Sequence, residues 1–117
     1  MSNQNKITYV ELPARDIPAT KAFFTSVFGW AFIDYGPDYA TFTGAGLNGG
    51  FYKSDLKAST DTGSALVVIY REDLEHSLET VKEEGGSIIK PIFDFPGGRR
   101  FHFGDTNGNE FAVWSDK

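Results

Sequence analysis

Two segments of this chain share one plan. Asp16-Ile17 opens a stretch that ends thirteen residues on at Gly29, and Asp73-Leu74 opens one that ends thirteen residues on at Gly86, an offset of 57 residues. Self-similarity of this kind constrains a fold more than any single motif, because each copy must build the same supersecondary unit. Each copy starts with strand-like alternation, Ile7 to Leu12 and Leu66 to Tyr70, and passes into a helix capped by the aspartate. In the first helix Ile17, Thr20, Phe24 and Val27-Phe28 fall on one face; in the second Leu74, Ser77-Leu78 and Val81 do so before "EEGG" ends it. Short strands follow each helix, with turns expected at "YGPD", "AGLNGG", "FPGG" and "DTNGN". Asn48-Gly49 and Asn107-Gly108 lie at an offset of 59, which a two-residue insertion in the second half would explain.

The predicted unit is strand–helix–strand–strand–strand, used twice, so the fold class is α+β. One helix covers one face of a four-stranded sheet. The other face stays bare unless the copies cover each other or a partner does so.

A chain of 117 residues suits one domain, and 40% hydrophobic residues with no low-complexity tract fit a globular one. The net charge is −5 and the basic residues are scattered, apart from Arg99-Arg100, so no stripe exists to neutralise a run of phosphates. Nucleic acid is not an expected partner. Without an apolar run of about 18 residues or a signal-peptide layout, the expectation is a protein that neither enters a membrane nor is exported. The absence of cysteine removes disulfides, thiolate metal sites and cysteine nucleophiles together, which fits a cytoplasmic location.

The pattern "YVELPARDIPATKAFFTSVFGW", followed after the repeat by "RFHFGDTNGNEFAVW", resembles the vicinal oxygen chelate superfamily, which holds glyoxalase I, the bleomycin-resistance proteins and the extradiol dioxygenases. It is closest to the small glyoxalase-like branch with "E-L-P…D…FGW". The resemblance implies a single domain over residues 1–117, with module one at about 5–56 and module two at about 62–116. It also implies sheets curled around a cleft, usually in a homodimer. In metal-dependent relatives each module gives the cleft one ligand from its first strand and one from its last. The corresponding positions here are Tyr9, Leu66, Ala112 and Lys53. Leucine and alanine have no donor atoms, protonated lysine repels a cation, and a lone tyrosine suits few divalent metals. No metal and no other cofactor is therefore expected. The proline of the family's "D-P-x-G" turn is Thr106 here.

With Tyr9 facing the cleft, strand alternation brings Glu11 there too, while Val10 and Leu12 pack under the helix. The same alternation points Leu66, Val68 and Tyr70 inward, then Arg100 and His102, then Glu110, Ala112 and Trp114. Thr41 and Thr43 are the repeat partners of Arg100 and His102. Glu11 and His102 are the candidate catalytic groups. Tyr9, Lys53, Tyr70, Arg100 and Trp114 are the candidate substrate-binding groups. The mixture suits a small organic ligand with an apolar body and a charged group. A neutral histidine with a nearby carboxylate suits a general base and its orienting partner.

Plainer readings stand beside these. Glu11 lies between two apolar residues and would form a buried ion pair with Lys53. His102 would be a half-exposed strand residue, Arg100 would decorate a hairpin, and Trp30 and Trp114 would be core or interface aromatics. Three functions remain open: a metal-free binder of a small organic molecule, a metal-independent lyase or isomerase with Glu11 or His102 as base, and a structural or regulatory homodimer.

Overall fold

The structure, a computed structural model, describes residues 2–117. The chain divides into two compact units, Met1–Leu56 and Lys57–Lys117.

The first unit runs β1 (Tyr9–Ala14), α1 (Ile17–Phe28), β2 (Ala31–Asp34), β3 (Tyr39–Thr43) and β4 (Asn48–Lys53). The expected capping aspartate starts α1: Asp16 Oδ1 accepts the Ala19 N–H at 3.0 Å, which satisfies a donor that the first turn leaves open. Gly29 ends it in the left-handed conformation at φ 74°, its N–H bonded to Thr25 O. The helix buries Ile17, Thr20, Phe23, Phe24 and Val27. Phe24 stacks on Trp30 at 4.8 Å, Trp30 stacks on Phe42 at 4.7 Å, and Phe51 closes the group 5.4 Å from Phe24. Each ring taken out of water contributes roughly 2–3 kcal/mol, and Trp30 is thereby a core residue. The sheet order is β1-β4-β3-β2, with β1 parallel to β4 and the remaining pairs antiparallel. β1 is therefore an edge strand.

The second unit repeats the plan. A 3-10 helix (Thr60–Thr62) precedes β5 (Val67–Tyr70), α2 (Leu74–Glu83), β6 (Ser87–Phe95), β7 (Gly98–Gly104) and β8 (Glu110–Ser115), in the sheet order β5-β8-β7-β6. Asp73 caps α2 by accepting the His76 N–H at 3.0 Å; the His76 side chain itself is exposed. Leu74, Ser77 and Val81 are the buried stripe of α2, and the helix packs on β6, β7 and β8. Phe101, Phe103, Phe111 and Val113 are fully buried, with Phe103 stacked on Phe111 at 5.4 Å. No helix among the described residues is long and apolar enough to cross a membrane.

Three of the four expected turns connect strands as read. The exception is "AGLNGG": β4 already begins at Asn48, so the Asn48-Gly49 pair is strand and the bend lies before it. Because Glu11 is opposite Gly50 and Val68 is opposite Ala112, the counterpart of Ala112 in the first unit is Gly50 and not Lys53. The correction is three residues. An odd shift in a strand moves a side chain to the other face: Lys53 lies opposite Ala14 and two residues beyond Phe51, on the α1 side of its sheet.

Candidate functional site

On the face of the second sheet away from α2, register sets Val68, Ala112 and His102 in one row and Tyr70, Trp114 and Arg100 in the next. The expected inward set of this unit is thus assembled, except that Leu66 precedes β5 and lies outside it. His102 is not half-exposed: it is 2% exposed, and Glu110 is 5% exposed. The two meet at 2.8 Å between His102 Nδ1 and Glu110 Oε2. Glu110 Oε1 accepts the Thr60 N–H at 3.0 Å and the Thr60 hydroxyl at 2.8 Å.

Burial works against ionisation of Glu110, but the hydrogen bonds from His102 and Thr60 outweigh it and hold the carboxyl down to about 2. At neutral pH the carboxylate is therefore an acceptor only. Nδ1 of His102 is therefore the donor in this contact, and Nε2 is the ring nitrogen that Glu110 does not use. Nε2 is buried and has no hydrogen-bond partner among the described residues. The Phe93 ring lies 5.8 Å away, centroid to centroid.

The segment that supplies Thr60 is fastened to the start of β8. Glu110 N–H donates to Ala58 O at 2.7 Å, and Ala58 N–H donates to Asn109 Oδ1 at 2.9 Å. In the "DTNGN" turn Asp105 Oδ1 accepts the N–H groups of Asn107 and Asn109, each at 2.9 Å. This buried polar knot makes the turn rigid where the family's proline is replaced by Thr106. Arg100, with Phe93, Phe95, Tyr70 and Trp114 beside it, completes this face. Tyr70 meets Trp114 edge-on at 5.1 Å, and its hydroxyl donates to Asp116 at 2.6 Å.

In the first unit Glu11 is exposed and has no cationic partner among the described residues. The expected buried pair with Lys53 does not form, because Glu11 lies on an edge strand in water and Lys53 on the other face. Its partner is Tyr39, whose hydroxyl donates to Glu11 Oε2 at 2.8 Å. That uses the only Tyr39 proton, so the Tyr9 hydroxyl, 2.5 Å away, donates to Tyr39. Burial first, then the bonds to Tyr9 and Glu11, push the Tyr39 phenol well above the usual tyrosine range. Gly50 permits the arrangement, since a Cβ there would lie 2.3 Å from the Tyr39 hydroxyl. Tyr39→Phe is expected to remove the highest step from the alkaline ultraviolet titration of the tyrosines. Because Tyr39 is only half-buried and its hydroxyl bonds lie at the surface, the same change should cost no more than about 1 kcal/mol in urea denaturation.

The sequence profile of the Glyoxalase/Bleomycin resistance protein/Dioxygenase superfamily matches residues 6–113. The chain belongs to this superfamily. Similar solved structures include the fosfomycin resistance protein FosX of Listeria monocytogenes, at 20% identity and TM-score 0.78, covering 95% of this chain and 93% of that one. A glyoxalase-related enzyme of Fulvimarina pelagi shares 18% identity at TM-score 0.76, over 95% of this chain and 88% of that one. Lactoylglutathione lyase of Agrobacterium tumefaciens shares 16% identity at TM-score 0.71, over 97% and 96%. At such identities the likeness is one of fold. No curated protein matches the chain.

The glyoxalase superfamily includes metal-dependent members, but the donor set here does not fit their metal. Ala112 and Leu66 offer no donor, Lys53 lies on the α1 side, and the corrected counterpart of Ala112 is Gly50. Among the described residues no three His, Asp or Glu side chains are grouped to hold a metal ion. Two residues central to this geometry were not singled out from sequence. Tyr39 had a signal, because it is two residues before Thr41 on the face already assigned. Thr60 had none, since it reaches Glu110 from a 3-10 turn whose position no periodicity marks.

Proposed function

We propose that this glyoxalase-superfamily chain binds a small organic molecule on the face of its second sheet opposite α2, with His102 Nε2 as the polar anchor and without a resident metal. One observation carries the reading: a buried imidazole is fixed by an ionised carboxylate at Nδ1 while its other nitrogen is left without a partner. Leaving a buried polar atom unsatisfied costs about 1–3 kcal/mol, which a ligand group at Nε2 would recover. Trp114, Tyr70 and Arg100 supply apolar area and charge on the same face. The homodimer and the cytoplasmic setting expected from the family and composition belong to this reading.

A second reading follows from the same pair. Glu110 holds the tautomer in which Nε2 is basic, the arrangement that lets a histidine act as general base. His102 is better placed for this than Glu11, which Tyr39 already engages in open solvent. Tyr9 and Lys53 are then not needed for the proton-transfer step.

A thermal-shift screen of small metabolites is expected to give ligands whose effect disappears in His102→Phe, a change that keeps an aromatic ring and removes both nitrogens. A ligand with an undiminished shift in that variant would sink the anchor. Loss of a carbon-bound proton to solvent deuterium, in wild type and not in His102→Phe, would favour turnover. A stoichiometric divalent ion in protein purified without chelator would overturn the metal-free part.

A further inference from the structure

His102 is not the only unsatisfied group on that face. Arg100, two residues earlier on β7, is half-buried, and its Nε is enclosed with no hydrogen-bond partner among the described residues. No carboxylate pairs with it among the described residues, whereas its neighbour Arg99, on the opposite face, is paired with Glu75. The Arg100 guanidinium carbon is instead 5.3 Å from the centre of the Phe93 ring and 5.7 Å from that of Phe95. Stacking on aromatic faces fixes a guanidinium in direction but supplies no acceptor for its N–H groups. Glu110, the carboxylate at the start of β8, is committed to His102 and Thr60.

Arg100 and His102 therefore present an N–H fork and an imidazole nitrogen from one strand face, about 7 Å apart at their α-carbons. Phe93 and Trp114 flank the arginine in register, while the residue opposite His102 on β8 is only alanine, Ala112. We propose that the ligand is a small carboxylic acid with a flat or aromatic body: its carboxylate on Arg100, its body against Phe93, Phe95 and Trp114, and its remaining polar end toward His102. The assignment rests on the small-molecule reading above and adds the ligand's charge and shape. A planar carboxylate takes two parallel N–H bonds from a guanidinium, one on each oxygen, which the single oxygen of a neutral amide cannot do.

Benzoate tests this directly, with benzamide as its neutral counterpart. Protein carrying 15N-arginine and 15N-histidine should show the Arg100 Nε–H resonance moving on addition of millimolar benzoate, and not of benzamide. Arg100→Gln should weaken benzoate at least about tenfold, the loss expected for a hydrogen bond to a charged group. Arg100→Lys, which keeps the charge, should weaken it less and serves as the measurement should Arg100→Gln not fold. The proposal is overturned if benzoate does not bind, if benzamide binds as well, or if both arginine variants bind benzoate like wild type. The two readings fail differently. A neutral metabolite that depends on His102 would leave the small-molecule reading standing without the carboxylate, whereas ligands indifferent to His102→Phe would remove both.

Discussion

Glu110→Ala is expected to lower stability by about 3–5 kcal/mol, a drop in melting temperature of roughly 12–20 °C for a domain of this size. The magnitude follows from what is left behind. With the carboxylate gone, His102 Nδ1 and the Thr60 N–H both lose their acceptor inside the protein, and each orphaned donor costs about 1–3 kcal/mol. Glu110→Gln separates shape from charge. The glutamine oxygen can still accept from Thr60, but its amide now donates toward Nδ1, so the imidazole proton must move to Nε2. That variant should be milder in stability, yet it should lose ligands or proton transfer that need a basic Nε2, because the ring would present the wrong tautomer.

Acid titration checks the same group with a definite sign. The Glu110 carboxyl is lowered from 4.5 to about 2 in the folded protein, so its contribution is complete above about pH 4.5 and is lost as pH falls toward 2. The stability difference between wild type and Glu110→Gln should shrink across that window. A difference that stays flat from pH 6 to pH 2 (about the whole accessible acid range) would show that the carboxylate is not held in its ionised form by these partners.

The face that carries this pair was legible in the sequence, and the pair itself was not. Alternation placed His102 and Glu110 on one side of the sheet, because a strand's period is fixed once one residue's direction is known. Whether they touch depends on the register between β7 and β8, where His102 is opposite Ala112 and Glu110 opposite Gly104; the 2.8 Å contact is thus a diagonal one. The helices were readable to the residue at Asp16, Asp73 and Gly29, since caps are local chemistry. The alternative ion pair of Glu11 with Lys53 failed for the opposite reason: it depended on the register of β4 against β1, which alternation within one strand does not fix and which sets Gly50, not Lys53, opposite Glu11.

The misread turn at Asn48-Gly49 has a quantitative test. In a left-handed turn position with open space around it, as at Gly46 with φ 89°, an added Cβ costs about 1–2 kcal/mol of backbone strain. Gly49 has no such φ among the glycines of positive φ, and a Cβ on it would lie 2.2 Å from the Val10 carbonyl oxygen and 2.5 Å from the Phe42 ring. The first of these is backbone of the neighbouring strand and cannot rotate away. Gly49→Ala must therefore push β1 from β4 and displace the ring that stacks on Trp30, so a loss of about 3 kcal/mol or more is expected. Gly46→Ala, measured beside it by urea denaturation, supplies the turn value for comparison. Equal losses would return Asn48-Gly49 to a turn and, with it, restore Lys53 as the counterpart of Ala112 on the face that carries Glu11. A loss at Gly49 well above that at Gly46 keeps Gly50 beneath Tyr39, which is the condition for the Tyr9–Tyr39–Glu11 chain to exist.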